Sequence, residues 1–170
     1  MSNLRRRSLL VLALAALAGG LHAAPVVAAP GGVGERKRPN GRVLRSAAPS
    51  SGERAARIAL TAVGTPYRYT GGSPTSGFDC SGLVRWSYGR LGIDLPHSSY
   101  ALAREGRSVP RSAARPGDVL LFDGLGHVGL YLGAGRMVHA PESGRRVEVV
   151  RLDLQRYGAR LVGVRRVAPA

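Results

Sequence analysis

The stretch that decides the fold runs from Pro116 to Ala140, PGDVLLFDGLGHVGLYLGAGRMVHA. It holds three short apolar or alternating runs, DVLLF at 118–122, HVGLYL at 127–132 and RMVHA at 136–140, separated by glycine-rich turns. Runs of this length between glycines read as strands, and turns this tight join antiparallel neighbours. A three-residue loop Gly133-Ala134-Gly135 would set Leu132 opposite Arg136. His127 would then face Pro141, with His139 as its diagonal neighbour on the same face of the sheet. A loop one residue longer or shorter would put the two imidazoles on opposite faces.

Working outward, VEVVRL at 147–152 and LVGVRRV at 161–167 extend the strand series. Upstream the period is helical. Ser51 is a candidate N-cap for a helix with Ala55, Ile58, Ala59, Ala62 and Val63 on one face, stopped by Gly64 and Pro66. A Gly/Ser/Pro-rich loop over 70–77 leads into a second helix that starts at Cys80, carries Leu83, Val84, Trp86 and Leu91, and closes at Gly92. A short helix fits 98–105, after Pro96. Helices first and tightly connected strands afterwards predict an α+β domain, with N-terminal helices packed on an antiparallel sheet of about five strands. A doubly wound parallel sheet is excluded because no helices lie between the strands to make its crossovers.

The chain has 170 residues, 44% of them apolar, which suits one ordinary domain plus a surplus. The surplus lies at the N-terminus. Arg5-Arg6-Arg7 precedes the apolar run Leu9 to Ala18 and then small residues, the order of a secretory signal peptide cleaved after Ala23, Ala24 or Ala28. The run is too short to span a membrane, and no cysteine follows it to carry a lipid anchor. Residues 1–28 are therefore expected to be a signal, 29–50 a flexible basic linker, and 51–170 the folded domain of an exported protein, periplasmic or secreted to the cell wall.

The formal charge of +15 divides between these parts: residues 1–49 hold eight bases and one acid, and 50–170 hold 17 bases and nine acids. The arginines are scattered and not interleaved with aromatics, which argues against specific nucleic-acid binding and leaves general attraction to an anionic envelope polymer.

Cys80 is the one cysteine, so neither an internal disulfide nor a multi-cysteine zinc site can form. A lone thiol in an exported protein is either a small buried apolar residue or one kept for its reactivity. Asp79 suits the N-cap of the second helix and would put Cys80 in the first turn, where unsatisfied N–H groups favour a thiolate. A nucleophilic cysteine needs a base. With His22 in the signal, the candidates are His97, His127 and His139, and the strand register joins the last two as a base and its orienter. Two histidines and a carboxylate could instead hold zinc.

Several motifs together resemble the NlpC/P60 cysteine peptidases. They are Gly64-Thr65-Pro66-Tyr67-Arg68-Tyr69, Gly71-Gly72, Gly77-Phe78-Asp79-Cys80-Ser81-Gly82-Leu83-Val84, Arg115-Pro116-Gly117-Asp118-Val119, His127-Val128-Gly129-Leu130-Tyr131-Leu132-Gly133 and Met137-Val138-His139-Ala140. The likeness covers about residues 53–167. It implies a papain-like fold and hydrolysis of peptidoglycan stem peptides or muropeptides, typically between D-γ-glutamate and a diamino acid such as meso-diaminopimelate, with no metal or cofactor. By position, Cys80 matches the nucleophile, His127 the general base and His139 the orienting third residue. Tyr67 matches the tyrosine that helps the Cys80 amide bind the oxyanion, and Asp79 and Ser81 would line the stem-peptide pocket.

The sequence departs from the family at two points. Thr70 lengthens the usual Tyr-x-x-Gly-Gly spacing by one residue, and His97 stands where relatives often carry arginine, as a structural or cleft residue. The same thiol chemistry would also serve an N-acetylmuramoyl-L-alanine amidase or an acyl transferase. A non-catalytic basic envelope-binding protein is the alternative from another class.

Overall fold

The computed structural model describes residues 48–153, 157–158 and 160–167. The expected signal peptide and residues 29–47 of the expected linker lie outside these. Helix α1 is Ser51–Leu60. Its N-cap is Ser50 rather than Ser51, because only Ser50 has a glutamate three residues on: Ser50 Oγ accepts from the Glu53 amide at 3.2 Å, and the Ser50 amide donates to Glu53 Oε2 at 2.9 Å. Ala55, Ala56 and Ala59 make its buried stripe, while Val63, placed on that face by spacing, is exposed. These small side chains let α1 lie close to its neighbours.

The loop that follows contains a small hairpin, β1 (Gly72–Ser73) with β2 (Gly77–Phe78), too short to show as a period in sequence. Helix α2 is Cys80–Gly89, capped by Asp79 as expected. Helix α3 is Ser99–Leu102, a single turn capped by Ser98, shorter than its predicted span.

The strands are β3 (Arg107–Ser108), β4 (Val119–Phe122), β5 (Val128–Gly133), β6 (Arg136–His139), β7 (Glu148–Arg151) and β8 (Leu161–Arg166). They form one antiparallel sheet in the order β3-β8-β4-β5-β6-β7. The sixth strand, against about five expected, is the two-residue edge β3. The last strand does not extend the series beside β7; it crosses to pair between β3 and β4.

All four residues of β4 are buried, which explains why DVLLF runs apolar without alternation. Val119 and Leu121 join Val128, Leu130 and Val138 in the core shared with Leu83, Val84 and Tyr88 of α2. Leu120 and Phe122 join Met137 and Val164 on the other face. Both faces of the sheet centre are covered, as a fully apolar strand requires.

The β5–β6 hairpin keeps the predicted register where it matters, with Leu130 opposite Val138 and Tyr131 opposite Met137. Its end differs from expectation. Gly133, not Leu132, pairs with Arg136, across a two-residue turn in which Ala134 and Gly135 take φ 50° and 66°. Both turn residues are left-handed, as the preferred two-residue hairpin demands, and the surplus residue is absorbed as a bulge between Tyr131 and Gly133.

The return of β8 is locked by a buried ion pair. Arg166 donates through Nε to Asp118 Oδ1 at 2.8 Å and through Nη2 to Asp118 Oδ2 at 2.6 Å. Asp118 also accepts from the Arg115 amide at 2.8 Å, and the buried Tyr88 hydroxyl donates to the Gly117 carbonyl at 2.7 Å. One bidentate pair thus ties the final strand to the start of β4, and the tyrosine ties that same corner to α2.

Candidate active site

Cys80 is the first residue of α2 and is partly exposed. The Asp79 carboxylate ahead of it accepts from the Gly82 amide at 2.6 Å and from Ser81 Oγ at 3.0 Å, fixing the first turn. A Cβ on Gly82 would stand 2.0 Å from the Gly71 carbonyl oxygen and 2.8 Å from His97 Nε2, so only glycine lets the hairpin loop and His97 close on this turn. His97 Nε2 lies 3.0 Å from each oxygen of Asp79. It is therefore a partner of the residue next to the thiol, the structural role considered for it. Asp79 and Ser81 are themselves buried, and bonded to each other on either side of Cys80.

Three backbone amides, those of Val128, Ser81 and Cys80 itself, favour the Cys80 thiolate, as a helix start should. Burial outweighs them, and the net effect with the nearby Asp79 charge is to push the thiol pKa above its ordinary value. The thiolate that the helix start alone would favour is thus not the resting form. The amide of Val128 is informative in another way: it brings the sulfur to the start of β5, at the residue that follows His127 in the chain.

His127 enters β5, and His139 ends β6 with no exposed surface. His127 Nε2 and His139 Nδ1 are 2.8 Å apart, the same-face diagonal contact that the register predicted. The residue opposite His139, Gly129, makes room for it: a Cβ there would lie 2.9 Å from Met137 Sδ and 3.3 Å from His139 Cβ. Burial and the positive charge of Arg160, partly opposed by Glu142, lower the His127 pKa to about 4. At neutral pH the site therefore rests as neutral thiol and neutral imidazole.

Tyr67 is held by its amide, which donates to the Arg145 carbonyl at 2.9 Å, and by a bridge to Phe78. The extra residue Thr70 is taken up in an exposed turn at φ 58°, rare for a β-branched residue, without releasing Tyr67. Burial first, and then the Cys80 and Asp79 charges, raise the Tyr67 pKa, so its hydroxyl stays a donor facing that part of the site.

The sequence reading missed two further features. A cleft of about 220 Å³ beside His127 is lined by Phe122, Pro141, Glu142, Tyr157 and Arg160. Glu148 stands opposite His139 in the β6–β7 register, with Oε1 3.5 Å from His139 Nε2. Among the described residues, no group of three or more His, Cys, Asp or Glu is arranged to hold a metal ion, and no helix is long and apolar enough to cross a membrane.

A thiol at a helix start, a histidine pair at the adjoining strand ends and a helix-on-antiparallel-sheet frame define a papain-like arrangement. Comparison with known proteins agrees. A profile of the NlpC/P60 family matches residues 64–166, and the chain belongs to that family. It is 50% identical over 107 residues to a probable endopeptidase of Mycobacterium tuberculosis, covering 61% of this chain and 28% of that protein. It is 38% identical over 123 residues to the peptidoglycan endopeptidase RipA of the same species, covering 64% and 26% respectively. The structure of an NlpC/P60 family protein from Bacillus cereus superposes with a TM-score of 0.65 at 32% identity, over 71% of this chain and 42% of that one. The chain thus spans little more than a quarter of the length of these two curated relatives.

Proposed function

We propose that this protein is an exported cysteine endopeptidase that hydrolyses peptidoglycan stem peptides, at the bond between D-γ-glutamate and a diamino acid. The observation that carries the reading is the 2.8 Å contact between His127 and His139 beside a helix-start cysteine. An imidazole has two nitrogens; Nε2 of His127 is engaged by His139, which leaves Nδ1 as the one able to serve the thiol. The substrate class follows the relative RipA, a peptidoglycan endopeptidase.

In the mechanism, substrate binding excludes water and Cys80 passes its proton to His127 Nδ1 as sulfur attacks the peptide carbonyl. The Cys80 amide and the Tyr67 hydroxyl take the oxyanion. The His127 imidazolium then protonates the leaving amine, a thioester remains, and water deprotonated by His127 hydrolyses it. A neutral resting pair suits this sequence, because the base is unprotonated before attack and becomes a strong acid for the leaving group afterwards. Asp79, Ser81 and His97 hold the first turn of α2 on the acyl side. Arg160 and the rest of the basic surface favour approach to an anionic wall.

The test is iodoacetamide labelling of the folded protein at graded pH, with residual lytic activity on purified peptidoglycan measured in parallel. The reading expects single-site modification at Cys80 with proportional loss of activity. Activity that survives complete alkylation would contradict it, and a Cys80 that never reacts would favour a non-catalytic binding protein.

A further inference from the structure

We propose that Glu148 is a positioning residue that sets the direction of hydrogen bonding along the histidine pair; the inference rests on the peptidase reading of Cys80 and His127. The 2.8 Å contact between His127 Nε2 and His139 Nδ1 can form in two ways. If His139 donates, neutral His127 must carry its proton on Nδ1 and has no lone pair to offer the thiol. If His127 donates from Nε2, its Nδ1 is a base, and neutral His139 must then carry its own proton on Nε2. Only the second arrangement is productive.

Glu148 selects it. Its Oε1 lies 3.5 Å from His139 Nε2, on the strand residue paired with His139. A carboxylate is purely an acceptor, so it favours an N–H at Nε2 and opposes a lone pair there. The separation exceeds that of a full hydrogen bond, yet charge acts over it: His139 is fully buried, and the Glu148 side chain is 29% exposed. Unliganded catalytic contacts are commonly long and tighten with substrate.

The carboxylate is also held in place. Arg145 Nη2 is 2.8 Å from both Glu148 oxygens, which keeps the group aimed at the strand pair. The carbonyl of the same Arg145 accepts from the Tyr67 amide at 2.9 Å. One residue thus links the oxyanion side of the site to the proton-transfer side.

The test compares wild type, Glu148→Gln, Glu148→Asp and Cys80→Ala on the tripeptide L-Ala-γ-D-Glu-meso-diaminopimelate, with histidine tautomers read by ¹⁵N NMR. In Glu148→Gln the amide oxygen is drawn to Arg145, turning the NH2 toward His139 Nε2, where a donor favours the wrong tautomer. The expected results are a roughly 10- to 100-fold fall in kcat with KM changed by less than about twofold, and a shift of the His139 proton toward Nδ1. Glu148→Asp, which keeps the charge, should recover part of the rate. A Glu148→Gln protein with wild-type kcat and an unchanged His139 tautomer would overturn the proposal. Wild-type turnover in Cys80→Ala would instead overturn the peptidase reading, and the tautomer measurement separates the two failures. Glu148→Gln is nearly isosteric and keeps an acceptor for Arg145, so folding is preserved; its melting curve checks this.

Discussion

Two polar clusters flank this sheet, and they handle charge in opposite ways. At the Asp118–Arg166 clamp both partners are ionised, bonded through two nitrogens and two oxygens, and further tied to the Arg115 amide. Arg166 is held above its usual pKa, chiefly by its hydrogen bonds to Asp118. At the Cys80–His127–His139 cluster burial drives the thiol pKa up and the His127 pKa down, so thiol and imidazole rest neutral. The clamp has spent its charges on each other and can only hold. The thiol and the His127 imidazole of the second cluster are uncharged at rest, which leaves the proposed proton transfer still to occur.

The comparison breaks most visibly at the clamp. Asp118→Ala leaves a guanidinium uncompensated in a site where Asp118 is 3% and Arg166 10% exposed, and should cost about 3–5 kcal/mol in urea unfolding. Activity per folded molecule should be unchanged. At the histidine cluster the signature is pH. His127 titrates at about 4 in the folded protein against 6.5 when free, so the unfolded chain binds more protons between those values. Stability should be fully present above about pH 6.5 and fall as pH drops toward 4, by at most about 3 kcal/mol. His127→Asn, which cannot titrate, should flatten that slope in a series of melts. The smallest effect is expected of Tyr88→Phe, which leaves the Gly117 carbonyl without the hydroxyl that now bonds it at 2.7 Å: about 1–2 kcal/mol, with hydrolysis untouched.

What could be read in sequence follows the range of each interaction. Asp79 as N-cap and the shared face of His127 and His139 rest on contacts within one turn or one hairpin, and both are legible. The bulge beyond Tyr131 is not, because a Gly-Ala-Gly run fits a two- or a three-residue loop, and only twist selects the former. Ser50-x-x-Glu53 was a visible capping box, and it outranks Ser51. Insertion of β8 beside β4 depends on Arg166 meeting Asp118, a pairing 48 residues apart that no local pattern marks. Glu148 was equally hidden: in VEVVRL it reads as an ordinary solvent-facing strand residue until β7 is placed against His139. The resting form of Cys80 was legible only in part, since the helix start that favours the thiolate is local but the burial that opposes it comes from tertiary packing.

The most direct test of the central claim is mass spectrometry of a defined disaccharide-tetrapeptide muropeptide digested by wild type and by Cys80→Ala. The account predicts that wild type releases a fragment beginning at the diamino acid and leaves L-Ala-D-Glu on the sugar, while Cys80→Ala leaves the substrate whole. Release of the entire stem peptide from the sugar, which marks an amidase, or unchanged cleavage by Cys80→Ala would contradict it.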